Sequence, residues 1–160
     1  MNYQTKHVVL IHSQEYKMIS IIIEAAENFL REQIDLKTHK HNKIDSLAQV
    51  RTVIASIDIR IDSGEIKTVF LGFNEALIKE IVSVYLMEDD ADEQTMQDMA
   101  LESTNMIVGS AKVLAEQAEK EHFMITTPEF KAIEEFEACD CSELSIIQTP
   151  KEALVIGIRG

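Results

Sequence analysis

Apolar positions recur along the chain with two periods, and the changes of period mark the elements. Val8 to Ile11 is a short β-prone run, with Ser13 placed to cap a helix after it. Ile19, Ile22, Ile23, Ala26, Phe29 and Leu30 then follow the one-sided spacing of an amphipathic helix. Leu36 to Ser46 is polar and basic, a loop by composition. From Val50 the period becomes two: Val53, Ala55, Ile57, Ile59 and Ile61 alternate with Thr52, Ser56, Asp58 and Arg60, which predicts a long strand with one polar face. Asp62-Ser63-Gly64-Glu65 reads as a hairpin turn returning through Ile66 to Gly72. Asn74 is placed to cap a second helix with the stripe Leu77, Ile78, Ile81, Val82 and Tyr85. An acidic linker, Glu88 to Asp92, leads into a long helix ending near His122. Strands are expected at Phe123 to Thr126, Leu144 to Gln148 and Leu154 to Ile158, and Lys131 to Ala138 is ambiguous. Helices interleaved with hairpin-linked strands predict an α/β chain of the α+β type: a mostly antiparallel sheet with long helices packed on it.

The third helix carries the most informative pattern. Asp98, Glu102 and Asn105 stand at i, i+4 and i+7, within roughly 60° of one another around the helix axis. Gly109 extends the same stripe. A glycine inside a helix costs about 1 kcal/mol relative to alanine. Two reasons can account for it: close approach by a partner, or a close helix-to-sheet contact within the chain. Met99, Ile107 and Leu114, with the small residues Ala100, Ser103, Ala111 and Ala115, supply the packed side.

Composition narrows the function classes. At 160 residues the chain fits a single domain, 1–160, able to bury its own core, and 46% of its residues are hydrophobic. A formal charge of −13 argues against nucleic acid and anionic membrane surfaces, both of which need lysine and arginine to meet phosphate. The stretch Glu88 to Glu102 holds seven acids and no basic residue, a pattern that a solvated loop and an acid-rich helix start explain. Cys139 and Cys141, only two residues apart, would make an awkward disulfide, so reduced thiols in a cytoplasmic protein are expected. No apolar stretch reaches membrane-spanning length, and the N-terminus lacks a signal-peptide layout. His39 and His41 lie in the polar loop, and His7 and His12 flank the first strand, none with zinc-like neighbours. Phosphate loops, nucleophile elbows and zinc-protease motifs do not occur.

Asp98, three residues, Glu102, two residues, Asn105, then twenty-two residues and Pro128 resembles the signature of the CheC/CheX/FliY phosphatases, which dephosphorylate the chemotaxis response regulator CheY. The run Glu102-Ser-Thr-Asn105-Met106-Ile107-Val108-Gly109 is similar to the core of that family's catalytic helix. CheC and many FliY proteins carry two such motifs and CheX carries one. A second copy fails in the first helix, where Asn28 has Ala25 three residues before it and Glu24 has Glu27 three after, so the resemblance is to CheX. Leu101 and Thr104 stand where the family often has glycine or alanine, and both are expected on the packed side.

The resemblance implies a catalytic pair. Asn105 is expected to position the water that hydrolyses a phosphoaspartate, and Glu102 to anchor the helix on a lysine of the response regulator. It assigns binding roles to Asp98 and Gly109, and to Pro128 the shaping of a turn after a strand. No cofactor of the chain's own is expected, because Mg2+ comes with the response-regulator substrate. The implied partners are a phosphorylated CheY-like regulator and a second copy in a homodimer, with no nucleic acid and no membrane. The alternative on the same fold is a non-catalytic adaptor or flagellar-switch-like binding module.

Overall fold

The computed structural model describes residues 18–43, 51–118, 122–134 and 141–160. The expected strand at Val8 to Ile11, the cap at Ser13, and His7, His12 and Cys139 lie outside them. In chain order the elements are α1 (Met18–Glu32), β1 (His39–His41), β2 (Thr52–Ile61), β3 (Ile66–Asn74), α2 (Glu75–Leu86), α3 (Glu93–Gln117), β4 (Phe123–Ile125), β5 (Glu129–Glu134), β6 (Glu143–Gln148) and β7 (Ala153–Arg159).

The strands form one sheet in the order β1-β6-β7-β3-β2-β4, with β5 also paired to β2, and every described pairing is antiparallel. Residues of alternate parity explain how it is covered. Val53, Ile57, Ile59, Val69, Leu71, Phe73, Leu154, Ile156 and Ile158 join the buried side chains of all three helices in one core. Full burial of such a side chain stabilises by about 1.5–3 kcal/mol. The opposite parity forms a smaller cluster around Ile54, Ile146, Ala153 and Val155. On that face Thr52 and Ser56 are buried, so the polar side of β2 meets solvent only at Asp58 and Arg60. Helix α1 lies against β6, β7 and α3, while α3 crosses β2, β4 and β5.

The β2–β3 turn follows its sequence. The Ile61 N–H donates to the Glu65 carbonyl at 3.0 Å, and Gly64 takes a φ of 92° that a side chain would oppose. Three expectations need correction. The polar loop contains β1, a three-residue strand held by pairing to β6, because ladder bonds override the weak strand preference of His-Lys-His. Helix α3 stops at Gln117, short of His122. The ambiguous stretch begins with a strand, β5, whose period is broken by a register shift that leaves Lys131 without a partner on β2.

Asn74 fastens α2 to the sheet. Its Oδ1 accepts from the N–H of Leu77, the N-cap bond, and also from the N–H of Ala153, while its Nδ2 donates to the Lys151 carbonyl. One buried side chain thus ties the helix start to the β6–β7 turn, whose Thr149 N–H donates to the Glu152 carbonyl at 2.9 Å. Asn74→Ala removes the cap and leaves the Ala153 N–H and Lys151 carbonyl without partners. A loss of about 2–4 kcal/mol is expected in denaturant unfolding.

Candidate functional site

Helix α3 presents the stripe because it can bury only its other side. Met96, Met99, Ala100, Ser103, Thr104, Ile107, Val108, Ala111 and Ala115 face inward. Four of these are alanine or serine, which lets the helix lie close to its neighbours. Among the described residues the buried hydroxyls of Ser103 and Thr104 have no hydrogen-bond partner, so apolar packing rather than polar pairing with those residues holds the helix at this level. Asp92 caps it, its carboxylate accepting from the Thr95 N–H at 2.8 Å, and Arg51 pairs with Glu93 in the first turn.

That N–H holds the Asp92 carboxyl below its ordinary pKa. The cap's contribution is therefore complete above the unfolded-state pKa and disappears as pH falls through the lower folded value. Asp92→Asn should flatten the acid limb of the stability profile measured by denaturant unfolding between pH 2 and 5, a range set on the order of ordinary carboxylate pKa values.

Asp98, Glu102 and Asn105 are all exposed and all line one open groove of about 590 Å³. They are not equivalent. Asp98 accepts from its neighbour Gln94 at 2.9 Å. Among the described residues Glu102 and Asn105 make no side-chain hydrogen bond or ion pair, so both are available to an incoming molecule. Asn28 of α1, by contrast, accepts from Arg31 at 2.7 Å.

The opposite wall comes from the sheet edge. Strands β4 and β5 act as one edge strand broken at Thr126-Thr127-Pro128, where three residues stand opposite Ile57 and Asp58. Proline has no N–H to give the ladder. Thr126 bridges the break: its N–H donates to the Asp58 carbonyl, and its Oγ1 accepts from the Asp58 N–H, each at 3.0 Å. The extra residue bends the edge beside α3, and Ile125, Thr126, Thr127 and Pro128 line the groove.

Pro128 thus follows a strand and shapes the chain there, and it also borders the groove. Leu101 does not lie on the packed side: it is half-buried and lines the groove between Asp98 and Asn105, whereas Thr104 is fully buried. The sequence places Ile125 and Thr126 in a strand but gives neither them nor Thr127 a role in the site, and the Thr-Thr-Pro interruption after that strand is the signal that marks them. Gly109 is half-exposed one turn beyond Asn105 and outside the groove lining. Among the described residues a Cβ built there meets nothing within 4 Å, so no close contact with them calls for the glycine. Among the described residues no group of three or more His, Cys, Asp or Glu side chains could hold a metal ion, and no helix is long and apolar enough to cross a membrane.

The family model described as chemotaxis phosphatase CheX matches residues 53–151, which include the whole of α3 and both walls of the groove. The chain belongs to the CheX family. No curated protein matches it by sequence. Among solved structures, it is similar to the chemotaxis protein CheX from Vibrio vulnificus, with a TM-score of 0.71, 21% identity, and coverage of 90% of this chain and 99% of that one. A CheC-like protein from Shewanella matches with a TM-score of 0.62 and 23% identity over 89% of this chain and 97% of its own. The CheX–CheY–BeF3–Mg2+ complex from Borrelia burgdorferi matches with a TM-score of 0.60 and 16% identity over 90% and 99%. At these identities the likeness is one of fold.

Because a Cβ added at Gly109 meets no described residue within 4 Å, Gly109→Ala should stabilise the protein by about 0.5–1 kcal/mol through helix propensity alone. Thermal and denaturant unfolding would reveal a loss instead if the backbone there were strained.

Proposed function

We propose that this protein is a phosphatase of a CheY-like response regulator, hydrolysing its phosphoaspartate. The observation that carries the reading is the pair Glu102 and Asn105, exposed and unpartnered among the described residues on one helix face, in a chain of the chemotaxis phosphatase family. The CheX of B. burgdorferi, seen in complex with CheY, supports the choice of partner.

In this mechanism α3 enters the regulator's active site. An acyl phosphate is labile, so its hydrolysis depends more on a water held in line with the leaving carboxylate than on a strong base. Asn105's carboxamide can accept from and donate to that water without placing a charge against the phosphoryl oxygens. Water attacks phosphorus, the bond to the aspartyl oxygen breaks, the regulator's aspartate carboxylate is regenerated in place, and inorganic phosphate leaves with the water's oxygen, the water's proton passing to the phosphate or to solvent. Glu102 anchors the helix by pairing with a cation of the regulator. Asp98, already engaged by Gln94, contributes at the margin of the interface. Gly109 keeps the stripe flat where the partner lies over it. The Mg2+ that neutralises phosphoryl charge belongs to the regulator.

Mixing the protein with a panel of phosphorylated receiver domains and following phosphate release tests this. Asn105→Ala should lower the accelerated rate about a hundredfold while thermal unfolding stays unchanged. Glu102→Ala should weaken receiver binding as well as turnover. Acceleration retained in Asn105→Ala would remove the water-positioning role, and tight binding by wild type without phosphate release would establish the adaptor reading instead.

A further inference from the structure

The groove beside the acid–amide stripe has an apolar lining that the proposed chemistry does not use. Its apolar lining is Leu101 from α3 with Ile125 and Pro128 from the broken edge strand, all half-buried. Carboxylates of Asp98 and Glu102 stand at its border, and no lysine or arginine lines it. Thr127 lies at the centre of the strand break, exposed, and within the described residues it makes no hydrogen bond through backbone or hydroxyl. Its neighbour Thr126 is committed to Asp58, so Thr127 is the group at the break left to bond outward.

We propose that this groove seats an extended loop of the phosphorylated receiver next to its phosphoaspartate, and that Leu101 and Thr127 select the partner. The inference rests on the phosphatase reading and adds the determinant of its substrate. Three arguments support this occupant. Glu102 and Asn105 form one wall of the groove, so a receiver that brings a phosphoryl group to Asn105 must lay adjoining chain into the same space. Among the described residues Thr127's main-chain groups are unpaired beside the groove, and the free backbone groups of a loop can meet them whereas the internally paired backbone of a helix cannot. The lining asks for a small apolar side chain against Leu101, Ile125 and Pro128, a cation facing the two carboxylates, and a backbone hydrogen-bonding group for Thr127.

Selection then falls on groups that never touch the reacting phosphorus. Leu101 sets how large a side chain the loop can bring, because it fills space that glycine or alanine would leave open. Thr127 rewards a loop whose backbone meets it and penalises one that buries it unpaired.

The test is steady-state phosphate release from phosphorylated receivers, with KM and kcat read separately. Leu101→Ala and Thr127→Ala are each expected to raise KM about fivefold or more for the preferred receiver while kcat changes less than about twofold, the signature of lost docking. Leu101→Met and Thr127→Ser should restore KM, and thermal unfolding of all four should match wild type, which a merely structural role would not produce. If both alanine variants keep KM within about twofold of wild type while Asn105→Ala is inactive, the loop seat is overturned and the phosphatase reading stands. A fall in kcat at unchanged KM overturns it too, because these residues would then act on the reacting centre. A wild-type protein that accelerates no receiver overturns both.

Discussion

Helix α3 can bury only one side of itself, and the rest of the site depends on that. Its inward face is a strip of methionine, alanine, serine, isoleucine and valine fitted against α1 and the sheet. Twenty-five residues fixed by that packing leave the outward side chains no freedom to rotate into the core. The acid and amide are therefore held at a set angle by contacts they do not make themselves. Apolar burial supplies rigidity, and the polar groups remain unspent, which is what the proposed catalytic roles of Glu102 and Asn105 require.

The second wall arises from a different constraint. A proline in an edge strand costs a ladder bond, and here Thr126 recovers part of it with its hydroxyl while the chain gains one residue over β2. The bend that results leaves an irregular edge beside the helix. Helix and edge strand thus meet as two surfaces with a space between them. The same irregularity discourages continued strand pairing along that side of the sheet.

The stripe was legible because helical geometry is a fixed rotation per residue, so Asp98, Glu102 and Asn105 could be placed together from spacing alone. The long hairpin was legible for the same kind of reason, through period two and a glycine at the turn. What escaped has physical causes. Strand β1 exists through its pairing with β6 and has no local signal, and β5 loses its alternation at Lys131. Leu101 sits at a boundary angle, where the inward or outward assignment depends on how close the edge strand comes, a tertiary fact. Ile125, Thr126 and Thr127 belong to the groove because of a distant helix, and a linear pattern cannot report that. The sequence leaves two explanations open for Gly109, and the open space at its Cβ position among the described residues speaks against a close internal contact.

The openness of the groove bears on what the free protein does between encounters. Glu102 and Asn105 face bulk water, and nothing described around them excludes it or supplies positive charge to a phosphoryl group. On the proposed reading the free molecule therefore holds a latent catalyst: a small phosphorylated metabolite finds neither a cage nor a counter-charge there. On that reading selectivity against small phosphate esters needs no discriminating pocket, since only a macromolecule that carries its own cation and closes over the helix would assemble a working centre. Incompleteness itself becomes the safeguard against wasteful hydrolysis.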